Sequence, residues 1–103
     1  MIHLLLAAVL LQPPPVSIDV WGAPWCPACR QQAPVVQRLQ QAGHPLRAIN
    51  FDDNREEAAK RNVTRIPTSI LYVYGVEQRR AIGVQSEATF RAWLQSVRER
   101  QPE

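Results

Sequence analysis

Trp21-Gly22-Ala23-Pro24-Trp25-Cys26-Pro27-Ala28-Cys29-Arg30 contains the only two cysteines of the 103-residue chain, with two residues between them. Before it, Val16-Ser17-Ile18-Asp19-Val20-Trp21 mixes β-branched and aromatic residues after a proline cluster, which predicts a strand ending at Gly22. After it, Pro27 suits the first turn of a helix, and Ala33, Val36 and Leu39 recur at helical spacing, so a helix is expected to about Gln41. Cys26 therefore falls where a strand hands over to a helix N-terminus. Unpaired backbone N–H groups and the positive end of the helix dipole favour a thiolate there, and the thiolate is the attacking species in disulfide exchange. Cys29, one turn into the helix, is expected to be the more sheltered sulfur and to resolve a mixed disulfide.

Other uses of two cysteines fit less well. A disulfide between residues three apart closes almost no loop and constrains the unfolded chain little. A zinc site needs two further ligands, and the only histidines, His3 and His44, form no recognisable metal pair with another residue. In a cytosolic setting the spacing points to metal or redox work, and the missing ligands leave redox. The chain suits one domain with a working core, and its 46% hydrophobic and 20% charged content is that of a soluble globular protein. Its net charge of +3 comes from eleven arginines and Lys60 against nine acids. Arg30, Arg38, Arg91, Arg98 and Arg100 fall on expected solvent faces of helices. No aromatic residues alternate with them to make a base-stacking groove, so nucleic acid is not an expected partner.

Residues 1–12 are apolar nearly throughout, yet too short for the roughly 20 residues of a membrane-spanning helix. They lack a basic leader and a small-x-small cleavage site, so they are expected to remain on the mature protein; an added strand or helix over an exposed part of the sheet is the structural reading. Residues 1–15, ending in Pro13-Pro14-Pro15, are thus read as an apolar segment and link, and 16–103 as the domain. Pro34 predicts a kink in the first helix. Beyond the Gly43-His44-Pro45 break, Leu46 to Phe51 reads as a strand, and Asp53 with Glu56 as the cap of a helix from Arg55 to Arg61 or Asn62. Ser69 to Tyr74 and Arg79 to Gly83 flank Gly75 as a hairpin. Ser86 caps a last helix with an apolar stripe of Phe90, Trp93, Leu94 and Val97. The expected order is β-α-β-α-β-β-α, the first two strands parallel with a right-handed crossover and the last two antiparallel.

Trp25-Cys26-x-x-Cys29 with Pro34 five residues on, then Asn50-Phe51-Asp52, Ile66-Pro67-Thr68, and Gly75 and Gly83 eight residues apart, resembles the thioredoxin family over residues 16 to 100. Pro27-Ala28 departs from the Gly-Pro usual in thioredoxins and puts proline first, as glutaredoxin-like and some oxidising relatives do. The resemblance implies an α/β thioredoxin fold, with a central mixed sheet of about four strands flanked by helices and the usual N-terminal strand-helix unit shortened or replaced by residues 1–15. It implies a thiol–disulfide oxidoreductase that reduces protein disulfides through Cys26 and Cys29 as a cytoplasmic monomer. The redox-active Cys26–Cys29 disulfide would serve in place of a bound cofactor, and a flavoprotein thioredoxin reductase would supply the electrons. An exported disulfide oxidase or isomerase, and a non-catalytic binding module of the same fold, are the competing readings.

The resemblance also implies site roles. Trp25, Pro27, Ala28, Ile66, Pro67, Thr68 and Gly83 would bind substrate, and Pro67 would be cis and face the cysteines, with the Ile66 backbone pairing with an extended chain. Trp21 and Trp93 are expected to pack inside, and His44 to be an ordinary turn residue. Asp19 would be the buried acid that takes the proton of the resolving cysteine, although Trp21 to Cys26 is one residue longer than in thioredoxins. An unpaired buried carboxylate is costly, so Asp19 must face solvent or stay neutral. With the extra residue absorbed at Gly22-Ala23 it would face the cysteines, and with Ala48 where thioredoxins often carry a lysine it would stay neutral.

Overall fold

The computed structural model describes residues 15–100, with side chains through residue 98. The chain runs β1 (Val16–Gly22), α1 (Pro27–Gln41), β2 (Leu46–Asn50), a 3-10 turn (Asp52–Asn54), α2 (Arg55–Lys60), β3 (Thr68–Val73), β4 (Val76–Ile82) and α3 (Glu87–Arg100). The sheet order is β2-β1-β3-β4. β1 pairs parallel with β2, Ile18 opposite Leu46 and Gly22 opposite Asn50, and antiparallel with β3, Val16 opposite Val73 and Trp21 opposite Thr68. This is the expected four-stranded mixed sheet flanked by helices.

Alternation along β1 divides the interior in two, because successive side chains leave a strand on opposite faces. Ile18 and Val20 join Val36 and Leu39 of α1, Leu71 of β3 and Phe90, Trp93 and Val97 of α3 in one core. The Phe90 and Trp93 rings meet edge to face, centroids 5.9 Å apart. Trp21 lies on the opposite face with Ala58, Val63, Ile70 and Tyr72. Burial on both faces explains why β1 holds so few polar residues, and it anchors the strand that ends at the cysteines.

Local chemistry sets most element ends. Ser86 Oγ accepts from the Thr89 N–H at 3.2 Å, as its sequence position predicts for a helix cap. The Tyr74-Gly75 turn has both residues at positive φ, 50° and 81°. A two-residue turn of that kind matches strand twist, and it lets β4 begin at Val76, three residues earlier than expected. The expected Asp53 cap is corrected. Asn50 at the end of β2 accepts through Oδ1 from the N–H groups of Asp52 and Asp53, at 2.9 and 3.2 Å. That side-chain turn winds residues 52–54 into a 3-10 turn and places Asn54, not Asp53, before α2. α1 continues through Pro34 to Gln41.

Two arginine contacts tie elements together. Arg80 on β4 donates to the carbonyls of Arg61 and Asn62 and to Glu77, bracing the α2–β3 connection. Arg38 of α1 and Arg91 of α3 share Glu87. Part of the basic surface expected from the sequence is thus paired. The expectation for residues 1–12 lies outside the described residues.

Candidate active site at the strand-to-helix junction

Strand β1 ends at Gly22, a turn closes with the Cys26 N–H donating to the Ala23 carbonyl at 3.2 Å, and α1 begins at Pro27. Cys26 is the N-cap, with extended backbone (φ −90°, ψ 116°), and its Sγ accepts from the Cys29 N–H at 3.2 Å. The sulfur thus stands where a serine or aspartate oxygen usually caps a helix, with a backbone donor in place for negative charge. Across the site, the Ile66 carbonyl oxygen lies 3.9 Å from Cys26 Sγ, the thiol being the donor.

Both cysteines are free thiols, and their exposures, 6% for Cys26 and 8% for Cys29, do not rank them. The expectation that Cys29 is the more sheltered is therefore corrected. What separates them is position. Cys26 precedes the helix and faces the Ile66 carbonyl, whereas Cys29 lies one turn in and packs on the end of β1. A Cβ at Gly22 would sit 3.3 Å from both Cβ and Sγ of Cys29, so glycine permits that close approach. Burial first, and the Cys26 side chain second, push the Cys29 thiol from 9.0 to about 11.

The predicted docking residues gather at this end of the sheet. The Ile66–Pro67 peptide is cis and Pro67 is buried. Thr68 Oγ1 donates to the Arg65 carbonyl, and the Gly83 N–H to the Pro67 carbonyl at 2.8 Å. Gly83 has φ 94°, a conformation that suits glycine. Pro27 is exposed and Ala28 half-buried at the helix entrance. Trp25 is 62% exposed, and its indole N–H donates to Asp52 Oδ2 at 2.6 Å. That bond, followed by Arg55, holds the Asp52 carboxyl below its ordinary value. Asp52 was read only as a family landmark in the sequence; the fold makes it the partner of Trp25.

Asp19 is 2% exposed and lies on the strand face shared with Trp21, whereas Gly22, on the other face with Val20, is the residue that Cys29 approaches. The expectation that Asp19 faces the cysteines is corrected, because strand alternation turns Val20 to that side. Arg47 grips Asp19 bidentately, Nε to Oδ1 at 2.9 Å and Nη2 to Oδ2 at 2.8 Å. The expectation of an acid without a basic neighbour is corrected. Parallel pairing sets Arg47 directly opposite Asp19, while Ala48, one residue on, is exposed. The hydrogen bond to Asp19 in turn raises the guanidinium pKa of Arg47. An arginine directly after the first residue of β2 was the available signal, but it acquires meaning only with the register.

Among the described residues no group of three or more His, Cys, Asp or Glu could hold a metal ion, and no helix is long and apolar enough to cross a membrane.

The sequence model of the family described as Thioredoxin matches residues 7–96. The thioredoxin of Alicyclobacillus acidocaldarius is 34% identical over 86 residues, covering 81% of each chain. A bifunctional thioredoxin reductase/thioredoxin of Mycobacterium leprae is 33% identical over 94 residues, 88% of this chain and 20% of that one. Among solved structures, a mutant thioredoxin from Halobacterium salinarum superposes with a TM-score of 0.77 at 28% identity, covering 85% of this chain and 79% of its own. With the cysteine pair at a helix N-terminus and the cis-proline turn beside it, this similarity along most of the chain means that the protein belongs to the thioredoxin family and is a thiol–disulfide oxidoreductase.

Proposed function

We propose that Cys26 is the nucleophile and Cys29 the resolving thiol in the reduction of protein disulfides. The observation that carries this is the Cys26 sulfur at the helix N-cap, accepting the Cys29 N–H, with the Ile66 carbonyl 3.9 Å away. The Cys26 thiolate attacks one sulfur of the substrate disulfide, forming a mixed disulfide and expelling the other sulfur as a thiolate. Cys29 then loses its proton and attacks Cys26 Sγ. The Cys26–Cys29 disulfide forms, the second substrate thiol leaves, and two electrons have passed to the substrate.

In this reading Trp25, Pro27, Ala28, Ile66, Pro67, Thr68 and Gly83 form the docking surface, with an extended substrate segment pairing with the Ile66 backbone. Exposed Trp25 at the rim and the left-handed backbone of Gly83 support it. Asp19, on the opposite face of β1 and held by Arg47, takes no part in resolution, and the Cys29 proton passes to solvent. The oxidised dithiol is recycled by a flavoprotein thioredoxin reductase; the relative whose name joins a thioredoxin reductase to a thioredoxin supports such a donor. The protein acts as a cytoplasmic monomer, with the dithiol itself in place of a bound cofactor.

Insulin reduction by dithiothreitol tests the assignment. The wild type accelerates insulin precipitation and Cys26→Ser leaves it at the background rate; equal acceleration by both would refute it. An equilibrium potential against glutathione nearer about −270 mV than about −120 mV marks a reductase rather than an oxidase.

A further inference from the structure

Cys29, Gln32, Val36 and Leu39 form the buried stripe of α1, and Gln32 is the one carboxamide in it, 1% exposed. Helical periodicity calls for an apolar side chain at that position. A buried amide is costly unless its donor and its acceptor are both used. Here both are. Gln32 Nε2 donates to the Gln85 carbonyl at 2.9 Å, and Gln32 Oε1 accepts from the Gln85 N–H at 2.6 Å. The side chain thus pairs with the backbone of one residue as a neighbouring strand would.

The hydrogen bonds continue beyond Gln85. Its side-chain Nε2 donates to the Gly83 carbonyl at 3.2 Å, and the Gly83 N–H donates to the Pro67 carbonyl at 2.8 Å. The preceding residue, Ile66, presents its carbonyl to Cys26 Sγ. A path that leaves α1 at Gln32 therefore returns to the start of α1 at Cys26. Residues 83–86, between β4 and α3, have no helix or strand of their own, and Val84 beside Gln85 is exposed on the rim. The Gln32 clamp holds that connection against the redox helix.

We infer that Gln32 is a positioning residue that fixes the Gly83–Ser86 segment relative to Cys26. Docking of a protein disulfide depends on it, and the exchange chemistry does not. The inference rests on the docking surface proposed above. Sulfur attack needs only Cys26 and a disulfide, whereas an extended polypeptide has also to lie against the docking segments beside it.

Turnover of insulin and of a small aromatic disulfide, dithionitrobenzoate, separates the two. Gln32→Leu is expected to raise the insulin KM about fivefold to tenfold, with kcat and the small-disulfide rate within about twofold of wild type. Gln32→Glu provides a second readout. Its carboxylate turns an acceptor toward the Gln85 carbonyl, but its protonated form again offers one donor and one acceptor. The insulin KM of Gln32→Glu, taken relative to wild type at each pH, therefore falls back towards unity on acidification, even if Gln32→Leu does not fold. Equal losses with both disulfides, or a Gln32→Glu ratio that does not change with pH, would overturn the clamp. A wild type that reduced the small disulfide without saturable turnover of insulin would instead overturn the docking surface and the clamp with it.

Discussion

Raising the pH should accelerate resolution of the mixed disulfide, because the Cys29 thiol is pushed from 9.0 to about 11. At about pH 7 such a group is a thiolate in roughly one molecule in ten thousand, and each further pH unit multiplies that fraction about tenfold. In the mixed disulfide, Cys26 Sγ is bonded to substrate and no longer contributes its side-chain interaction with Cys29. Burial, the largest cause of the shift, persists. The rate is therefore expected to climb about tenfold per unit and to bend between 9.0 and about 11. Rapid mixing with a fluorescent disulfide substrate separates the first attack from mixed-disulfide decay across this range. A decay rate that ignored pH, or that bent well below 9.0, would refute the argument from burial. Stability carries the same sign. The unfolded chain releases the Cys29 proton near 9.0 and the folded chain near 11, so the folded state binds more protons in between. Stability is thus retained below 9.0 and falls as pH rises towards about 11, and Cys29→Ser should lack that part of the decline.

Gly22→Ala should destabilise the fold by about 1 to 3 kcal/mol by overpacking against Cys29 and should slow resolution, read by urea unfolding and mixed-disulfide decay. Wild-type values in both assays would mean that the strand end yields freely. Arg80→Lys keeps the charge but loses the planar fork that reaches Glu77 and the Arg61 and Asn62 carbonyls, and should cost about 1 to 2 kcal/mol in urea unfolding. Small-disulfide turnover should stay near wild type; a stability equal to wild type would remove the brace from the account.

The stretch from Val16 to Arg30 decided the centre of the fold by itself, because a β-branched run, a glycine, a proline at a helix start and two cysteines are local signals that need no distant partner. The same holds for Ser86 at its helix cap and for Gly75 in its two-residue turn. The resemblance carried by Ile66-Pro67-Thr68 also pointed to the cis-proline turn that stands beside Cys26. The Asn50 turn displaced the expected Asp53 cap because Asn50 Oδ1 takes the N–H groups of Asp52 and Asp53 and winds Asp53 into the 3-10 turn, so that Asn54 precedes the helix. Arg47 on Asp19 and Gln32 on Gln85 are different in kind. Their partners lie 28 and 53 residues away, and nothing in local periodicity distinguishes a paired buried polar group from a misplaced one. Sequence by itself determined where the dithiol sits and which elements carry it. Which polar groups face one another behind it was decided by strand register and helix packing, since a buried charge or amide acquires its partner only when the chain closes.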